Sequence, residues 1–411
     1  SQRMISLNDN EVAVVKLGQP VKVFDFSGTR LKPKVVPIEF RPKSVSKGRY
    51  RHFMRKEIFE QPDVVQHNLD RRIHNGRINL GSAYRFYPEE VTRIKNVLIQ
   101  ACGTSYHAGL VGRYFLERFT DVHTEVEIAS ELIDRTPVFG KHDLMLAISQ
   151  SGETADTLAA LRAARKNSSL RVLSMLNVKR TSLDRESDSS IYLHAGPEIG
   201  VASTKAYTAE LFAMLIFTLE LARRKGTMSS GKIRQVKKAL GLLPLQIKEV
   251  LKQDRKIREI AKKYQKNNAF LFLGRGANYP TALEGALKLK EISYVHATGY
   301  PAGEMKHGPI SLIDEKTPVV VVAPRDSTYD KMCANIEEVA ARDGQVITVG
   351  TAGDRELAKR SAAFIAVPEV PEYLLPFLTV IPLQLLAYHV AVFRGCDVDK
   401  PRNLAKSVTV E

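Results

Sequence analysis

Short apolar runs alternate along this chain with longer segments whose apolar positions recur every three or four residues, the pattern of strands followed by amphipathic helices. "NVLIQACGTSYHAGLVGRYFLERF" (96–119) predicts a buried strand, a turn of small residues and a helix, and "NAFLFLGRGANYPTALEGALKLKEI" (268–292) repeats that plan. Second strands follow in "DLMLAISQSGETADTLAALRAARK" (143–166) and "TPVVVVAPRDSTYDKMCANIEEVAARDG" (317–344). Third strands stand at 171–177 and 345–350, and fourth strands at 190–196 and 363–369. Each half closes on a long apolar helix, "AYTAELFAMLIFTLELARR" or "LTVIPLQLLAYHVAVFR". Continuous Val/Ile/Leu strands between helices mean parallel sheets covered on both faces. The internal repeat therefore predicts an α/β chain of two doubly wound parallel-sheet domains in tandem, roughly 75–225 and 250–395, joined by the polar "RRKGTMSSGK".

The flanks read differently. "EVAVVKL" and "VKVFDFSG" predict two strands around a turn at Gly18–Pro20, which cannot bury a core alone and so belong to something larger or add an edge. Residues 33–50 are basic and Pro-containing, a linker by composition. A helix is expected from "FMRKEIFEQPDVVQHNLDRRI", broken at Pro62. The end, 397–411, has no apolar periodicity and is expected as a tail free to fold back across either domain.

Composition narrows the class. With 411 residues, 44% hydrophobic and 26% charged, the chain is neither collagen, coiled coil nor disordered, and it is too long for one core. No apolar run is expected to reach the roughly 18 residues of a membrane helix; the strongest candidate, "ELFAMLIFTLELA", carries Glu210 and Glu220. Ser1 opens a polar stretch without the apolar core of a secretory signal. Cys102, Cys333 and Cys396 are odd in number and scattered, which fits a reducing cytoplasm rather than a disulfide framework. The net charge of +16 suits small anions, nucleic acid or a merely solvated surface; no nucleic-acid module accompanies it, so neither a nucleic acid nor a membrane is expected as a partner.

Ligands of open α/β sheets bind beyond the carboxyl ends of the strands, so the strand-to-helix turns carry the candidate chemistry. The first turn is Cys102, Gly103, Thr104 and Ser105. The second is "SQSGETADT", in which Ser149, Gln150, Ser151 and Thr154 gather three hydroxyls and an amide at a helix N-terminus. Capping needs one such residue; this many donors form a cradle for a phosphate dianion. It is not a Walker loop, and the "GRG" at 274–276 lacks the third glycine of a dinucleotide fingerprint. "EIGVASTKAYTAE" (198–210) reads as a helix start capped by Ser203 or Thr204, and as a ligand wall only if it faces the cradle. Glu284, Lys288 and Glu291 share one helix face; a solvated ion-pair ladder is the plain reading, but their apolar neighbours favour a cleft, where a carboxylate beside a cation suits proton abstraction next to a carbonyl. His307 lies in a Gly- and Pro-flanked loop, as readily a hydrogen-bonding residue as a proton shuttle. Lys406 is a surface charge unless a pocket desolvates it. No group has metal-ligand spacing, so neither metal nor cofactor is expected.

In order, "CGTS", "SQSGETADT", "EIGVASTKAYT", "LEGALKLKEISY", "GEMKHGP" and the closing "PRNLAKSVTVE" resemble the isomerase half of the glucosamine-6-phosphate synthase family, also called glutamine–fructose-6-phosphate amidotransferases. The resemblance runs from "YRHFMRKEIFEQP" (50–62) to the last residue. It implies two sugar isomerase (SIS) domains, 50–230 and 231–395, an active-site tail at 396–411, and a glutaminase remnant plus linker at 1–49. It implies that Ser149, Gln150, Ser151 and Thr154 hold the phosphate of fructose 6-phosphate, and that Cys102, Gly103, Thr104, Ser105, Val201, Ser203 and Ala405 line the sugar. His307 would open the furanose ring from the neighbouring subunit of a homodimer. Lys406 would form a Schiff base with the C2 ketone, and Glu291 would move the proton between C1 and C2, with Lys288 and Glu284 tuning its charge. The products implied are glucose 6-phosphate, or glucosamine 6-phosphate for amino-sugar biosynthesis when ammonia is supplied. The family's N-terminal cysteine has no counterpart near Ser1, so a chain without the glutaminase half is expected. The alternative is a SIS-type sugar-phosphate-binding module without turnover, which needs the cradle but not Glu291, His307 and Lys406 together.

Overall fold

The computed structural model describes all residues except 1, 2, 6, 9, 38–45, 136, 167–169 and 411. Residues Ser1–Ser46 form one unit and Lys47–Glu411 another. In the first, Glu11–Val14, Lys22–Asp25 and Arg30–Leu31 make a three-stranded antiparallel sheet, and Arg3–Ile5 pairs antiparallel with Val35–Pro37. The segment expected as a linker thus includes a strand, because its β-branched pair finds a partner far away in sequence; its residues 38–45 lie outside the described residues.

The second unit opens with helix α1 (Phe53–Arg72). The expected break at Pro62 does not occur: the helix runs through it. Proline leaves the carbonyl four residues earlier without its amide partner. Here the Gln61 side-chain amide donates to the Ile58 carbonyl at 2.9 Å and to Gln384 Oε1 at 2.8 Å, so the defect is repaired inside the core.

The first parallel sheet contains β1 (Asn96–Ala101), β2 (His123–Ile128), β3 (Asp143–Ser149), β4 (Arg171–Leu176) and β5 (Ser189–Tyr192), ordered β5-β4-β3-β1-β2. Helices α2 (Gly103–Phe119), α3 (Ala155–Ala164) and α4 (Lys205–Lys225) follow β1, β3 and β5. The second sheet repeats the order with β6 (Ala269–Gly274), β7 (His296–Pro301), β8 (Pro318–Ala323), β9 (Gln345–Thr351) and β10 (Ala363–Val367), running β7-β6-β8-β9-β10. Here α5 (Asn278–Ser293) follows β6 and α6 (Leu375–Phe393) closes the half. Each sheet has five strands where four were expected. The additions, "HTEVEI" and "HATGYP", are edge strands; an edge position lets polar side chains reach solvent, so no continuous apolar run betrays them.

Between the halves stand two helices, Ser230–Leu251 and Asp254–Tyr264, the first packed on α1 and the second on α6. Contacts of α2 with α5 join the halves directly. The expectation that no apolar run reaches membrane length is overturned by Glu372–Phe393, 22 residues of mean hydropathy 1.7. Its strongest window is 94% buried inside the fold, so protein, not lipid, covers its apolar surface.

Candidate functional site

Strand order reverses between β1 and β3, where successive helices leave on opposite faces and open a crevice at the carboxyl ends. The two turns read as candidate sites lie at this place. After β3 the chain bends through Gly152 at φ +68°, where an added Cβ would stand 2.2 Å from Thr181 Oγ1; only glycine fits. The bend folds the hydroxyls together. Ser149 Oγ lies 3.1 Å from Thr154 Oγ1 and accepts from the Gly152 amide at 3.0 Å. Ser151 Oγ lies 3.5 Å from Thr154 Oγ1 and accepts from the Glu153 amide at 3.2 Å. No carboxylate takes these amides; Glu153 Oε1 turns away to accept from the Ser182 amide at 2.8 Å. The mouth of α3 is therefore lined by neutral dipoles, the arrangement that favours a dianion.

The tail reaches this mouth. Ser407 Oγ donates to Ser151 Oγ at 3.0 Å, and the Val408 carbonyl accepts from the Ala155 amide at 3.0 Å. One residue earlier, Lys406 Nζ donates to Glu198 Oε2 at 2.6 Å and to the Gly200 carbonyl at 2.8 Å. Glu198 is buried and its other oxygen accepts from the amides of Thr204 and Ala206 at 2.9 and 3.1 Å. Burial pushes its carboxyl up, but the Lys406 charge and these bonds win and hold it well below the usual range. The helix α4 is thus capped by Glu198, not by the hydroxyl of Ser203 or Thr204 as the sequence suggested; both hydroxyls are buried without a partner. A carboxylate satisfies two amides at once and adds charge favourable to the dipole, which a hydroxyl cannot.

The third group comes from α5. Glu284 and Lys288 are buried completely, so the solvated-ladder reading fails. Lys288 Nζ stands 2.6 Å from Glu291, 3.4 Å from Glu284 and 3.0 Å from Thr104 Oγ1, which in turn donates to Glu284 at 3.1 Å. Burial works against the ammonium, yet the two carboxylates raise its pKa above the ordinary value. Thr104, at the start of α2, thereby ties the first turn to the charged face of the other half, and Glu291 remains partly exposed. His107 completes the cluster, its Nδ1 2.8 Å from Glu284 Oε2.

The structure groups Ser149, Ser151, Thr154 and, through Ser407, Lys406 at the turn after β3, and Thr104, Glu284, Lys288 and Glu291 at the start of α2 after the neighbouring strand β1. The Gln150 carbonyl accepts from the Asn177 amide, and the Val201 amide donates to the Asp399 carbonyl, which docks the tail beside the 198–201 wall. Gly103 begins α2. Ser105 departs from the expected role: its hydroxyl is buried and donates to Glu210 at 2.7 Å, facing the core and not a ligand. Cys102 precedes α2 with its thiol 3.9 Å from Thr157 Oγ1. Ala405 is exposed on the tail. His307 ends the 3-10 turn Ala302–His307; it is exposed, and among the described residues no hydrogen bond of its side chain links it to the crevice. Sequence reading missed Glu198, Glu57, Glu210, His107 and Asp399. For Glu198, Glu210 and His107 the available signal was a carboxylate or imidazole in an otherwise small or apolar stretch; Glu57 and Asp399 stand among other charges and gave none.

Comparison with known proteins converges on one family. The SIS domain family matches residues 90–219 and 263–394. A relative from Bacteroides thetaiotaomicron, glutamine–fructose-6-phosphate aminotransferase (isomerizing), is 47% identical over 412 residues, covering 100% of this chain and 67% of its own. Its namesake from Chlorobaculum tepidum is 48% identical over 415 residues with the same coverage. The chain thus spans about two thirds of the length of these relatives. Among solved structures, the C-terminal domain of glucosamine-fructose-6-phosphate aminotransferase from Francisella tularensis superposes with a TM-score of 0.84 at 42% identity, covering 87% of this chain and 100% of that one. A glucosamine-6-phosphate deaminase from Thermotoga maritima shares the fold, with a TM-score of 0.68 at 24% identity.

Proposed function

The chain belongs to the glutamine–fructose-6-phosphate aminotransferase (isomerizing) family of paired SIS domains, and from that premise we propose that it isomerises fructose 6-phosphate, aminating it to glucosamine 6-phosphate when ammonia reaches the site. The observation that carries this reading is the neighbourhood of Ser407 and Lys406: one tail residue touches the anion cradle while the next holds an amine beside it. A sugar phosphate anchored at Ser149, Gln150, Ser151 and Thr154 then presents its carbonyl end toward Lys406. The amine attacks the C2 ketone and water leaves; ammonia then adds to the iminium carbon and expels the Lys406 amine, and the sugar's own C2 imine acidifies the C1 hydrogen. Glu291 takes that proton and returns it at C2, which needs a carboxylate held in register with two adjacent carbons. Lys288, between Glu284 and Glu291, limits the charge that Glu291 loses and regains. Thr104, Val201, Ser203 and Ala405 line the sugar's path.

The active assembly in this reading is a homodimer, and the partner's His307 opens the furanose ring; the exposure of His307, whose side chain makes no hydrogen bond among the described residues, supports this. A cytoplasmic setting suits a reaction on phosphorylated sugars and three free thiols. A binding-only sensor requires the cradle but gives no reason to bury Glu284 and Lys288 against Thr104.

The test is glucosamine 6-phosphate formation from fructose 6-phosphate and free ammonia. Glu291→Gln and Lys406→Ala are expected to lose about a thousandfold in turnover while still binding fructose 6-phosphate. Mixing His307→Ala with Lys406→Ala protomers should restore part of the activity, since mixed dimers hold one intact site. Full turnover in either single variant rejects the assigned roles; no recovery on mixing rejects the shared histidine.

A further inference from the structure

Lys406 is held through a circuit that begins and ends in the tail. The Asp399 carboxylate accepts from the amides of Phe53 and Met54, both at 2.9 Å, and so caps α1. One turn along α1, Glu57 is 2% exposed, and its carboxylate accepts from the Ile199 amide at 2.5 Å and from the Gly200 amide at 3.3 Å. The carbonyl of that same Gly200 and the side chain of the adjoining Glu198 hold the Lys406 amine. The fit is close: a Cβ on Gly200 would meet Glu57 Oε2 at 2.8 Å and the Met54 backbone at 3.5 Å. Two buried carboxylates, Glu57 and Glu198, thus stand on either side of one short backbone segment. Burial and Glu198 both push the Glu57 carboxyl up, against the Ile199 amide, Lys205 and Lys406. Lys205 is also committed to Glu60 at 2.7 Å. A buried like-charge pair is unfavourable for stability, and apolar residues would pack α1 at least as well.

We propose that Glu57 is a positioning residue for Lys406: by clamping the Ile199 and Gly200 amides it fixes the Gly200 carbonyl and the Glu198 carboxylate at the place where the tail amine must stand to reach the sugar ketone. This rests on the reading that Lys406 is the attacking amine. Glu57 touches neither substrate nor lysine. It sets the distance between the amine, held by the 198–200 wall, and the phosphate cradle, held by β3 and α3. An error of about an ångström in that distance costs turnover on the order of a hundredfold without weakening phosphate binding.

Three variants test this. In Glu57→Leu, kcat is expected to fall about thirtyfold or more, while the dissociation constant for fructose 6-phosphate stays within about threefold. Borohydride trapping of the sugar on Lys406 should fall in parallel. Glu57→Gln retains an oxygen that can accept from the Ile199 amide, and recovery to within about fivefold of the parent is expected. Gly200→Ala displaces the clamp from the other side and should reproduce the loss even if Glu57→Leu folds poorly. Parental kcat and trapping in Gly200→Ala or in folded Glu57→Leu overturn the proposal. So does a loss of binding equal to the loss of turnover, which is the mark of a merely structural residue. Full activity of Lys406→Ala overturns instead the premise that the lysine attacks.

Discussion

The two halves share a strand order and the same five-residue turn between third strand and helix, 150–154 in one and 324–328 in the other, yet the donors of the first turn go to neutral hydroxyls and those of the second to a carboxylate. In the second half Asp326 stands where the first has Gly152. Its carboxylate accepts from the Thr328 amide at 2.8 Å, from Thr328 Oγ1 at 2.7 Å and from Asn278 Nδ2 at 2.9 Å. The donors before the helix Tyr329–Ala340 are thus taken by an internal anion, and Asn278 bridges the crevice between the two turns. In the first half the same kind of amide, two residues on, goes to the neutral hydroxyl of Ser151. The repeat keeps one backbone turn in both halves, and in the second a carboxylate takes the donors that a bound anion would need.

The sharpest test copies that closure into the working half. Asp at position 151 can accept from the Glu153 amide as Ser151 does, so Ser151→Asp should fold. The added charge should weaken fructose 6-phosphate binding about a hundredfold or more, measured by calorimetry, because a dianion then faces a fixed carboxylate in a partly desolvated mouth. Binding within a few-fold of the parent would show that this mouth is not the phosphate site.

The asymmetry explains what could be read from the chain. The repeat was visible because buried parallel strands are continuous apolar runs, as in "VLIQA" and "FLFLG". The hydroxyl cluster was visible because Ser149, Ser151 and Thr154 lie close together in sequence. The edge strands were not, since edge positions impose weaker patterning. Nor was the carriage of Lys406: its partners Glu198 and Gly200 lie some two hundred residues away, and their own support from Glu57 is further removed still. Local motifs declare themselves; contacts assembled by the tail crossing back over the first half do not. Glu284 and Lys288 fall between, their shared face legible and their complete burial decided only by α2 packing from the other half.

The closing helices differ in the same sense. Most of α6 is buried, and it carries no carboxylate or ammonium. In α4, Glu210 is buried with one oxygen bonded to Ser105 and the other without a partner. Burial, with smaller contributions from Glu198 and Glu284, pushes its carboxyl up to about 8. The folded chain therefore keeps a proton that the unfolded chain releases near pH 4.5. The stability this proton confers is fully present below that pH and is lost as pH rises through about 8. The slope is at most about 1.4 kcal/mol per pH unit for this one group. Glu210→Gln, neutral at every pH, should flatten urea-unfolding stability against pH by up to that amount between pH 5 and 7.5. An unchanged slope would mean that Glu210 is ionised in the fold.

The smallest effect is expected where the second half is altered. Asp326→Ala frees the Thr328 amide and hydroxyl and the Asn278 amide, the loss of a cap worth about 1–2 kcal/mol. Turnover and fructose 6-phosphate affinity should stay within about twofold, because among the described residues no hydrogen bond links the side chains of Asp326, Thr328 or Asn278 to Lys406 or to Ser149, Ser151 and Thr154. Removing the carboxylate does not by itself create a phosphate site. Pro324 and Arg325 occupy the positions of Gln150 and Ser151, and Arg325 is engaged with Asp354. If turnover fell tenfold while the melting temperature held, the second crevice would have to act on the first through α5, the helix that carries both Asn278 and Glu291. The two switch points would then be coupled halves of one machine, and the division into a working copy and a closed copy would fail.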